Sequence, residues 1–263
     1  MNYIKFFTQF FPLFTGKPLL QSCFAGMREN MSRRPVIPPW LRELPPPSGF
    51  VNPFAMGIRG PNIFGPETLC GDWSADLLLL GQDFAPAATV QDVIDTHGAR
   101  AAWRHNDGDG RYDRIGLVTN NNLCALLNMI GRRVDLRGQG SKECGVLYGN
   151  ACFFLKDGDG EPTRGVAASK PVFEFVISKM PRLKAIGCLG KCSFDGAMSW
   201  LGLTSTWRAQ IDARKPVRYG SLLIFALAHP SQRGINNRMQ GAVKRDPGAE
   251  IEADWRALGR ALR

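Results

Sequence analysis

The feature that most limits what this chain can fold into is a set of four short apolar runs, each bounded by turn-forming residues: Ala75–Leu80, Gly145–Tyr148, Leu183–Leu189 and Ser221–Ala228. Their hydrophobicity is continuous rather than alternating. A strand that is apolar on both faces must be covered on both faces, as in a parallel sheet flanked by helices. Helical patterns lie between the runs. One starts near Thr89, with Val90, Val93 and Ile94 on one side. Another covers Leu123–Ile130, and a third, Pro171–Met180, has proline in its first turn and Ser169 as a candidate cap. From Asp246-Pro247 the chain reads as a capped final helix, with Ile251, Trp255, Leu258 and Leu262 inward and Arg256, Arg260 and Arg263 outward. This alternation predicts an α/β fold, a three-layer α/β/α sandwich around a central, mainly parallel four-stranded sheet.

With 263 residues, the chain has the length of one large α/β domain or two small ones. From Arg33 to Pro53 it is proline-dense, with Pro45-Pro46-Pro47 in the middle and a short WLREL turn of possible helix. The expected division is a proline-rich N-terminal tail over 1–49, partly disordered or peripheral, and a folded domain over 50–263. No stretch approaches the roughly 20 apolar residues of a membrane span. Leu20-Gln21-Ser22 before Cys23 faintly resembles a lipoprotein cleavage site, but Pro12 breaks the apolar run and Gln9, Thr15 and Lys17 interrupt it. The seven cysteines contain no CxxC pair, and Cys188 with Cys192 supplies too few ligands for a metal centre. Reduced thiols in the cytoplasm, with no metal and no cofactor, are the expectation. NDGDGRYD and KDGDGE look like calcium loops, but position 6, where glycine is required, is Tyr112 or Pro162. The formal charge of +10 suits a polyanionic partner.

The polar residues collect just after the runs. Gly81-Gln82-Asp83 follows the first, Asn150 the second, Gly190-Lys191 the third and His229-Pro230-Ser231 the fourth. In open parallel sheets, ligands bind beyond the carboxyl ends of the strands. A carboxylate, two carboxamides and an imidazole at one such edge suit a polar planar ligand and a hydrolytic step.

The same residues carry a resemblance. GQDFAP after a strand resembles the GQDPYH motif of the uracil-DNA glycosylase superfamily, and HPSQR resembles its HPSPL motif. GVLYGNACFFLKDG is similar to the family segment whose strand ends in the uracil-reading asparagine. LCALLNMIG is similar to its SLLNMYKE helix. The similarity runs in order from about Ala75 to Arg238.

That resemblance implies a DNA-repair glycosylase acting as a cytoplasmic monomer, with no membrane partner. Its partners would be single-stranded or duplex DNA carrying uracil or another deaminated base, and the abasic product. Asp83 would direct the attacking water, and neutral His229 would donate to the base oxygen as charge develops there. Asn150 would pair with the Watson–Crick edge of a flipped base, and Gln82 would add backbone contact. Lys191 and Ser231 would hold phosphates. Ala85 replaces the tyrosine that blocks thymine, implying a roomier pocket. Phe84 and Tyr112 are candidates for the base-stacking aromatic. Arg233 stands at the leucine wedge. Asn120-Asn121-Asn122 replaces the prolines and serine of a DNA-compressing loop, making Asn122 a candidate DNA contact. A non-catalytic binder of damaged DNA on the same scaffold is the alternative, as is an enzyme of free nucleosides.

Overall fold

The computed structural model describes residues 38–56, 70–83, 86–97, 122–132, 145–239 and 246–263. The chain divides into Met1–Arg33, outside the described residues, and Arg34–Arg263, which carries everything below. In chain order the elements begin with a helical turn α1 (Pro39–Arg42) and strands β1 (Phe50–Val51), β2 (Cys70–Gly71) and β3 (Leu77–Gly81). Helices α2 (Ala87–His97) and α3 (122–129) follow, then β4 (Leu147–Asn150) and β5 (Leu155–Lys156). Next come α4 (Pro162–Ala168), α5 (Lys170–Ser178), β6 (Ala185–Leu189), α6 (Lys191–Trp200) and α7 (Trp207–Ala213). The chain closes with β7 (Val217–Tyr219), β8 (Leu222–Leu227), α8 (Gln232–Met239) and α9 (Pro247–Ala261).

Each of the four apolar runs contains a strand, and these pair in parallel in the order β4-β3-β6-β8. Every residue of β3 and β6 is buried, as continuous hydrophobicity demands. The sheet has six strands rather than four, because β2 joins β4 and β7 joins β8, both antiparallel. These edge strands lack the apolar signal that betrayed the others. β2 is two residues long, and in β7 Arg218 and Tyr219 are exposed, so neither needs an apolar run.

Alternate side chains of β3 face opposite layers. Leu78 and Leu80 share a small apolar cavity with Val172, Phe173 and Val176 of α5 and Trp200 of α6. On the other face, a Cβ placed on Gly187 of β6 would meet Leu79, Leu227 and Leu258 of α9, so that helix lies directly over the sheet. α9 also approaches Ile130, just after α3, at Gly259. Ile251, Trp255, Leu258 and Leu262 are all buried, and Asp246 caps the helix through Gly248 N (2.9 Å). Ser169 does not cap α5. Because α4 runs up to Ala168, the serine sits at a helix junction, where its hydroxyl donates to Gly165 O (2.7 Å) and accepts from Phe153 N (2.8 Å).

Residues 38–49 lie against the sandwich: Leu41 is buried, Trp40 packs edge-on against Phe175, and Asn52 donates to Leu44 O (2.8 Å). Among the described residues no helix is long and apolar enough to cross a membrane, and no three metal-ligating side chains cluster as an ion site would.

Candidate active site

The chain steps from β3 to β4 on one side and then crosses to β6 on the other. The connection after β3 thus leaves toward β4 and the one after β6 leaves the other way, toward β8, so the carboxyl ends of β3 and β6 form a topological switch point, where ligands bind in open parallel sheets. Gly81 is in register with Asn150 at the last position of both strands. Backbone bonds continue beyond it: Ala151 N donates to Gly81 O and Cys152 N to Gln82 O, both at 2.8 Å. Gln82-Asp83 and Asn150 are thus held side by side by the sheet itself. The Gln82 carboxamide donates to Asp83 Oδ2 (3.0 Å), and both side chains face solvent.

Gly81 has no room for a side chain. A Cβ there would lie 2.2 Å from Asn150 Oδ1 and 2.8 Å from the Tyr148 hydroxyl. The carboxamide leans across the glycine, and Tyr148, two residues earlier on the same face of β4, reaches the same space. Tyr148 was not among the residues expected at the site, although its period-two relation to Asn150 is visible in the sequence.

His229 follows β8 and is half-buried. Its Nδ1 lies 2.8 Å from Ser231 Oγ and accepts the backbone N–H of Ser231 at 3.2 Å. A backbone N–H can only donate, so Nδ1 carries no proton, and the proton of the neutral ring is assigned to Nε2. Burial pushes the His229 pKa below its ordinary 6.5, and the negative charge of Asp83 pulls it partly back. α8 starts tight against the histidine: a Cβ on Gly234 would lie 2.1 Å from the His229 carbonyl oxygen, and Gly234 N donates to Ser231 Oγ (3.3 Å).

The remaining candidates divide. Asn122, at the start of α3, turns its Nδ2 to Pro230 O (2.8 Å), inside the His229 turn. Lys191 opens α6 beyond β6, is 73 % exposed and pairs with Asp195 one turn on. Arg233 is exposed in the first turn of α8. Ser231 spends its hydroxyl on His229 and on the start of α8. Phe84, Ala85 and Tyr112, with Asn120 and Asn121, lie outside the described residues.

Two thiols flank this edge. Burial pushes Cys152 up to about 12 and Cys192 up to about 11, with Asp83 adding to both. At neutral pH both are protonated and poor nucleophiles. The apolar cavity that touches Asn150 measures about 20 Å³, room for one water and far too little for a nucleobase. It is a packing void of the core. No protein-family model and no curated protein sequence matches the chain.

Proposed function

We propose that the chain is a DNA glycosylase of the uracil-DNA glycosylase type, hydrolysing the bond between a flipped uracil, or a related deaminated base, and its sugar. The observation that carries this reading is the sheet edge itself, where an exposed carboxylate, a carboxamide and a half-buried imidazole lie at the carboxyl ends of the parallel strands β3, β4 and β8. Asp83 orients a water and takes its proton as the water oxygen bonds to the sugar carbon. The base–sugar bond breaks at the same time, and its electron pair leaves with the base. His229, held with a proton on Nε2, donates to the base oxygen as that charge appears. Asn150 presents one acceptor and one donor, which matches N3–H and O4 of uracil. The charge of +10 supports a DNA substrate over a free nucleoside, and we place the enzyme in the cytoplasm as a monomer.

The test is direct. Purified protein is incubated with labelled single-stranded and duplex DNA carrying one uracil, and abasic sites are cleaved with alkali. Cleavage at the uracil that falls sharply in Asp83→Ala and His229→Ala is the expected result. Tight DNA binding without release of uracil, hypoxanthine or xanthine would favour the non-catalytic damage binder instead.

A further inference from the structure

We infer that Asn122 is a positioning residue for His229, and not a contact to the DNA backbone; this rests on the glycosylase reading above. Asn122 Nδ2 donates to Pro230 O at 2.8 Å, across 108 residues of chain. That carbonyl belongs to the same peptide unit as the Ser231 N–H that donates to His229 Nδ1 at 3.2 Å. A peptide unit is planar, and this one is trans, so its carbonyl oxygen and its N–H point in opposite directions. Fixing the oxygen end fixes where the N–H end aims. Asn122 grips one end of a rigid plate and the imidazole takes the other.

The consequence is chemical. The Ser231 N–H makes Nδ1 the acceptor and so keeps the ring proton on Nε2. It also favours the neutral ring over the imidazolium, because a protonated Nδ1 could not accept it. Hydrogen bonds in series strengthen one another, so an amide donor on Pro230 O makes the Ser231 N–H a better donor as well. Pro230 is buried and has no N–H of its own. The side-chain amide from α3 therefore supplies a hold on this turn that proline cannot.

Asn122→Ala and the nearly isosteric Asn122→Leu test this. Labelling histidine with ¹⁵N gives a simple spectrum, since the chain has three histidines. The wild type should show neutral His229 protonated at Nε2. Both variants should show mixed tautomers and a His229 pKa moved upward. Uracil excision should lose about 10- to 100-fold in kcat with little change in KM. The salt dependence of DNA binding should stay as it was. A phosphate contact predicts the reverse: higher KM, a shallower salt dependence and an unaltered histidine. Unchanged tautomer and pKa in two folded variants would overturn the inference. If the wild type excises no uracil, the glycosylase reading falls, yet the histidine spectrum still decides what Asn122 does.

Discussion

Burial disfavours the imidazolium form of His229, and the carboxylate of Asp83 partly offsets that. Asp83→Asn should therefore lower the His229 pKa further, as read by NMR titration; an unchanged value would mean that the two groups do not sense each other. The folded pKa lies below that of the unfolded chain, so as pH falls below about 6.5 the unfolded state takes up this proton first. Stability is lost in that direction. His229→Gln should lose less of it between pH 7 and 5 in urea denaturation. Gly81 carries a second prediction. Its missing Cβ position lies 2.2 Å from the end of the Asn150 side chain, a flexible group that can move aside. Gly81→Ala should thus leave the melting temperature nearly unchanged while, on the proposed function, uracil excision drops by about 100-fold, because the Asn150 amide is pushed out of place.

At the scale of elements, the helix that begins beside His229 is anchored at its far end. Arg238, 2 % exposed, bonds Asp254 of α9 (2.7 Å), Glu250 of α9 (3.1 Å) and Asp212 of α7 (2.9 Å). Arg214 adds a further bond to Asp254 (3.0 Å). Removing Arg238 leaves the buried Asp254 carboxylate with Arg214 as its remaining ion-pair partner, at the cost of an incompletely compensated buried charge. Arg238→Met should cost about 3–5 kcal/mol in denaturant unfolding. A loss below about 1 kcal/mol would show that the network is solvated enough to be dispensable. α9 itself was legible in advance, because its cap, its proline and its apolar spacing are all local signals. The network was not. Arg238, Asp254 and Asp212 are ordinary charges in the chain, and only packing makes them neighbours.

For the whole molecule, the proposed function gives the excess of positive charge a use if some of it lies around the edge that carries Asp83 and His229. Lys191 and Arg233 are exposed on helices that start there. If each neutralises a phosphate, Lys191→Ala and Arg233→Ala should each reduce the slope of log K against log salt by about 0.9 for duplex DNA. They should weaken binding to uracil-containing and undamaged DNA alike. An unchanged slope for either would remove that residue from the DNA path.

What the sequence by itself determined was whatever a residue and its near neighbours decide. Short continuous apolar runs bounded by turn residues favour buried strands, and in a parallel sheet the residues that end them gather at one edge, which is why Gln82, Asp83, Asn150 and His229 were expected there. Edge strands β2 and β7 escaped because one is two residues long and the other is exposed at Arg218 and Tyr219, so neither carries such a pattern. Long-range pairings escaped for a related reason. Whether an asparagine at the head of α3 points to solvent or to the Pro230 carbonyl depends on how two distant segments pack. The same is true of the glycines that let Asn150 and His229 come close. The tertiary structure decided these, because a hydrogen bond between residues far apart in the chain leaves no trace in the spacing of either.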